Sequence, residues 1–111
     1  MKYSVEHKGH IIGHADLEVA DAGMNVLAGR FVASEKYYEI QHVFRLFADE
    51  RYEEYYEARD ALRLRLLDSA SNHVPTSFIH IVDFSAESGP EAMQLETNPL
   101  VRVQEGEPAG G

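Results

Sequence analysis

The chain has 111 residues, 44% of them hydrophobic, which is enough for one domain with a real core. It contains no cysteine, so a disulfide framework and a thiolate site are both excluded. Ten Lys and Arg against nineteen Asp and Glu leave a formal charge of −9. Such a surface repels phosphate backbones, which argues against nucleic-acid binding and favours encounter with a basic partner. No run approaches the roughly 18 apolar residues of a membrane span, and the opening MKYSVEHKGH lacks the apolar stretch of a signal peptide. A cytoplasmic setting without membrane attachment is the expectation.

From Tyr3 to Val19 the residues alternate. Ile11, Gly13, Ala15, Leu17 and Val19 are small or apolar, while His10, His14, Asp16 and Glu18 between them are polar. This is the period of strands with one buried face, joined near Gly9. A three-residue loop, His7-Lys8-Gly9, sets Val5 opposite Ile11 and Tyr3 opposite Gly13, so the apolar faces agree. His7, His10 and His14 fall within eight residues, and histidine is the commonest metal ligand. Four residues along a strand separate His10 from His14 by about 13 Å, far too much for two bonds of about 2 Å to one ion. The cluster reads as solvated histidines, with no metal site and no cofactor implied.

ADAGM, residues 20–24, reads as a turn, and residues 24–33 as a third strand completing an antiparallel meander. Gly29 inside that strand predicts a bulge or a close backbone approach. Ser34 is a candidate N-cap for a helix over 35–48, whose Ile40, Val43, Phe44 and Phe47 recur at helical spacing. The apolar stripe then slips by one residue to Tyr52, Tyr55 and Tyr56. The slip predicts a second helix over 50–59 capped by Asp49, or else one bent helix. In ALRLRLLD, residues 61–68, leucines alternate with arginines, which is strand spacing. Residues 76–84 are β-rich and predict a second hairpin with 61–68, in a register left open. MQLET, residues 93–97, reads as an optional sixth element, a short edge strand. The expected fold is α+β: an antiparallel sheet with helices on one face, residues 1–98 forming the domain and 99–111 a tail. The opposite face is solvated or lies in a homodimer interface.

No phosphate-binding, zinc or nucleophile motif is present, and no catalytic residue can be assigned. Three weaker features remain. DERYEEYYEARD, residues 49–60, holds six acids and a face of Tyr52, Tyr55, Tyr56 and Arg59. Glu50 with Glu54 and Glu53 with Glu57 are like-charge pairs one turn apart, each destabilising by a few tenths of a kcal/mol. A chain that keeps this repulsion can use it to hold something positive, and tyrosine and arginine are common in interface hot spots. The alternative is a solvated acidic face over rings that serve the core. The functional reading is a small interaction module, analogous in size and charge alone to bacterial immunity or accessory proteins. It contacts a basic protein through Tyr52, Glu53, Glu54, Tyr55, Tyr56, Glu57 and Arg59.

The second feature is His80 with Asp83 on an apolar strand. Residues three apart in a strand point to opposite faces, so they form no dyad. His80 could instead line a small-ligand or enzyme pocket between sheet and helices, or be an ordinary core histidine. The third is the terminal Gly-Gly. Together with the opening hairpin and its bulged turn, it resembles the ubiquitin-like modifiers, which also end in two glycines. That resemblance implies conjugation through Gly111, against an extra strand over 24–33 that departs from the pattern.

Overall fold

A computed structural model describes residues 1–101. Gly110 and Gly111, with nearly all of the predicted tail, lie outside the described residues. The chain is α+β, as the segregated periods predict. The strands are β1 (Lys2–His7), β2 (His10–Asp16), β3 (Glu18–Asp21), β4 (Val26–Ala33), β5 (Arg65–Leu67), β6 (His73–Val74), β7 (Thr76–Asp83) and β8 (Met93–Pro99). A 3-10 turn, Glu35–Glu39, leads into α1 (Gln41–Ala48) and α2 (Tyr52–Leu62), and α3 (Ser85–Ser88) joins β7 to β8. Strand order is β6-β5-β1-β2-β4-β8-β7, with β3 also on β4, and the sheet curls until it is nearly a barrel.

The first hairpin forms by a different device from the one expected. Lys8 and Gly9 alone make the turn, both at positive φ (50° and 82°), as a two-residue type I′ turn requires. His7 then pairs with His10 and Glu6 with Ile11, which taken alone would bring the wrong faces together. A β-bulge corrects this: between Glu6 and Val5 the second strand advances from Ile11 to Gly13, leaving Ile12 as the extra residue. Val5 therefore faces Gly13 and Tyr3 faces Ala15, and Ile12, the one apolar residue at the otherwise polar positions of this strand, is buried.

The long second strand breaks at Leu17, which is fully buried while β2 and β3 run on either side of it. Gly29 explains the position of the break. A Cβ there would overlap the carbonyl oxygen of Asp16, so the two backbones can approach only where β4 carries no side chain. This is the close approach that the glycine predicted.

The helical segment divides as the slipped stripe predicts, with shifted ends. α1 stops at Ala48, Glu50 takes φ 61°, and α2 starts at Tyr52. Neither expected cap acts as one. Ser34 occupies the N-cap position of the 3-10 turn, but its hydroxyl donates to the Ile11 carbonyl at 2.8 Å, tying the turn to β2. Asp49 closes α1 rather than opening α2, where Arg51 is the N-cap. Ile40, Val43 and Phe44 are buried against the sheet. Phe31, Tyr37, Phe44 and Tyr55 form a relay of ring contacts, with centroids 5.4, 5.8 and 6.1 Å apart, from the sheet through α1 to α2.

Three further expectations are corrected. Residues 61–68 are not one strand: α2 continues through Leu62, Arg63 caps it in the left-handed conformation, and only Arg65–Leu67 are extended. Helix-favouring Ala61 and Leu62 follow their propensity once α2 has somewhere to pack. Nor does this segment pair with residues 76–84. β5 joins β1 and the short β6, and β7 pairs with β8. Only Pro75 separates β6 from β7, so the chain passes directly from one rim of the curled sheet to the other. Finally, β8 is no edge strand; it lies between β4 and β7, and every second residue from Met93 to Pro99 is buried.

Candidate functional site

α2 carries the acidic, tyrosine-rich sequence, and its fold divides the predicted face in two. Tyr55 points inward and is fully buried, so it belongs to the core and not to a contact surface. The Arg59 guanidinium lies 5.5 Å from the Tyr55 ring centroid and 5.2 Å from that of Tyr56, with only 14% of its side chain exposed. Outside this layer stand Tyr52, 44% exposed, and Tyr56, 47% exposed, one turn apart. At 100° per residue, Asp60, Glu53 and Glu57 follow these two rings around the same side of the helix. All three carboxylates are exposed. Asp60 is held by Arg59 at 3.1 Å, and Glu54, farther around, is gripped by Arg51 at 2.6 Å. Among the described residues Glu53 and Glu57 have no cation. The outcome is a strip of two half-exposed rings beside two unneutralised carboxylates, mounted on a helix that its own Tyr55 and Leu62 fasten to the domain.

His80 lies against Tyr55, where this helix meets β7. β7 directs Ile79, Ile81 and Asp83 into the buried side and turns Phe78, His80 and Val82 outward, so His80 and Asp83 point apart, as strand geometry requires. The Tyr55 hydroxyl and His80 Nδ1 are hydrogen-bonded, and the Phe47 ring packs against the imidazole at 4.6 Å. Burial, with the nearby Arg59 charge, pushes the imidazole pKa down to about 4. Burial also pushes the Tyr55 phenol up to about 12, against the opposing pull of Arg59. At neutral pH the pair is therefore uncharged. Nδ1 is the ring nitrogen that faces the phenol. A shallow recess of about 280 Å³ opens here, lined by Tyr56, Arg59, Phe78 and His80. Phe78 was readable from sequence, since it stands two residues before His80 on the same face of a strand.

Asp83 serves the fold. It is 1% exposed and accepts hydrogen bonds from Tyr37 (2.6 Å), Gln41 (3.0 Å), and the hydroxyl and amide of Ser85 (2.6 and 2.8 Å). Burial opposes its ionisation, but these donors together outweigh burial and hold the carboxyl below the usual carboxylate range. The carboxylate thus joins β7, the 3-10 turn and α1. Tyr37, its partner on the 3-10 turn, carries no distinguishing signal in the sequence.

No three or more His, Asp or Glu side chains among the described residues converge to hold a metal ion. No helix there is long and apolar enough to cross a membrane. Comparison of the chain with family models, curated proteins and solved structures finds no match. The functional reading therefore stands on the geometry of the chain alone.

Proposed function

We propose that the protein is an interaction module whose α2 strip receives a basic segment of a partner protein. The observation that carries this reading is the pairing of Tyr52 and Tyr56, each almost half exposed, with Glu53 and Glu57, which have no cation among the described residues. A lysine or arginine laid along the helix would meet a ring face and a carboxylate within one turn, so cation–π attraction and ion pairing would act together. The overall charge of −9 would speed encounter with such a segment without selecting where it docks. Selection would come from the rings. The geometry trims the predicted contact set: Tyr55 and Arg59 position the strip from below, and Glu54 is already engaged by Arg51.

The test measures fluorescence anisotropy of a labelled Lys/Arg-rich octapeptide against the protein. It uses three forms: the parent chain, the charge reversal Glu53→Lys with Glu57→Lys, and the charge-neutral pair Tyr52→Ser with Tyr56→Ser. Both double variants should weaken binding at least about tenfold, the scale of a hot-spot loss. If the tyrosine variant binds as the parent does, attraction reflects net charge alone and the α2 reading fails.

A second reading rests on the recess beside His80, where a neutral imidazole and the Arg59 guanidinium border one opening. A small ligand bearing a hydrogen-bond acceptor and a flat apolar part would suit it. Ring resonances of His80 that do not move in a fragment screen would remove this alternative.

A further inference from the structure

On the outer face of β1, β2 and β4, cross-strand pairing assembles residues that are distant in sequence. Ser4 stands opposite His14, and His14 opposite Val32. Arg30 lies two residues before Val32 and so shares its face. After β5 the chain turns sharply: the Asp68 carboxylate accepts the amides of Ala70 and Asn72, each at 2.9 Å, and the turn brings Ser69 and Ser71 to the rim. These segments enclose a recess of about 420 Å³. That size is within the range of small-molecule sites, about 300–1,000 Å³.

The charges around this recess are unequally satisfied. Asp16 is occupied by the Met1 amino group at 2.8 Å and the Lys2 ammonium at 3.7 Å. Asp68 is occupied by its own loop. Arg30, by contrast, is exposed and has no ion pair among the described residues. Ser4 Oγ and His14 Nδ1 lie 3.2 Å apart, which fixes the imidazole orientation. Val32, 55% exposed, supplies an apolar wall. The Ser–His pair does not point to acyl transfer. β1 is paired on both sides at Ser4, with β2 and with β5, so the strand offers no free amides to stabilise an oxyanion.

We infer that this recess binds a small organic anion: a carboxylate or phosphate monoester carrying a short, flat apolar body. Arg30 pairs with the anion, the hydroxyls of Ser4, Ser69 and Ser71 and the imidazole of His14 surround it, and Val32 takes the apolar part. The site uses none of the residues of α2 and is independent of the interaction proposed there.

Benzoate and phenyl phosphate serve as the two probes, with benzamide as a neutral isostere of the first. Amide chemical shifts are followed by NMR in the full chain and in Arg30→Gln. Both anions, or the one whose headgroup the site prefers, should shift Ser4, His14, Val32 and Ser71 with saturation, and benzamide should bind far more weakly. Arg30→Gln should weaken binding at least about tenfold, the cost of a lost charged hydrogen bond, with resonances elsewhere unchanged. Arg30→Lys, which keeps the charge without the fork, should recover part of the loss. Absence of saturable shifts with either anion, equal binding of benzamide, or a smaller loss in Arg30→Gln would overturn the assignment.

Discussion

Lowering the pH from about 7 to about 4.5 drives a proton onto the His80 imidazole in the unfolded chain well before the folded chain accepts one. The imidazole has an ordinary pKa of about 6.5 when unfolded, and burial with the Arg59 charge lowers it to about 4 in the fold. Above the unfolded value both states are neutral, so the stabilising contribution is fully present. As pH falls through the window from about 6.5 to about 4, only the unfolded state gains the proton, and stability declines. Below the folded pKa both states are protonated and the decline from this group stops. A gap of about 2.5 pH units corresponds to about 3.4 kcal/mol at most. Because the ring is only partly buried, solvent screening reduces this to about 1–2 kcal/mol. Urea unfolding at stepped pH, compared between the parent chain and His80→Asn, isolates the effect. Asparagine can place an acceptor near the Nδ1 position, facing the Tyr55 hydroxyl, and does not titrate. His7, whose pKa is also lowered, chiefly by burial, remains in both forms and cancels. The parent should lose about 1–2 kcal/mol more than the variant across the window. Parallel curves, or a His80 ring that titrates near 6.5 by NMR, would refute the argument.

Tyr37→Phe removes one donor from the buried Asp83 carboxylate and should cost about 1–3 kcal/mol in urea unfolding; a change under about 0.5 would mean that Gln41 and Ser85 suffice alone. Gly29→Ala drives a methyl into the Asp16 carbonyl, which is backbone and cannot swing aside, so a loss of about 2 kcal/mol or more is expected in the same assay. Glu53→Gln with Glu57→Gln relieves a like-charge pair one turn apart. It should raise stability by up to about 0.5 kcal/mol in low-salt thermal melts, with the gain fading at high salt, while basic-peptide binding falls.

How far the site was legible can be judged residue by residue. The opposite directions of His80 and Asp83, and the outward turn of Phe78, follow from strand geometry and were readable in the order of residues. The position of Tyr55 was not. In an isolated helix it shares a face with Tyr52, Tyr56 and Arg59, and only the placement of α1 and β7 buries it and leaves its neighbours outside. The outer recess left no local trace, because Ser4, His14, Arg30 and Ser71 are brought together by strand pairing alone.

Residue order by itself determined the class of fold, the strand before Gly9 and the strand after it, a change of helix face near Asp49, and a special backbone position at Gly29. Each is a short-range consequence of which side chains must leave water, or of where a side chain has no room. Tertiary structure alone decided that β5 ends on β1, that β8 lies inside the sheet, and that a bulge at Ile12 restores the register which a tight turn would have reversed. Those outcomes depend on which strand edge and which apolar surface remain free once the rest has packed. A segment such as ALRLRLLD, equally able to coil or extend, takes its conformation from that competition.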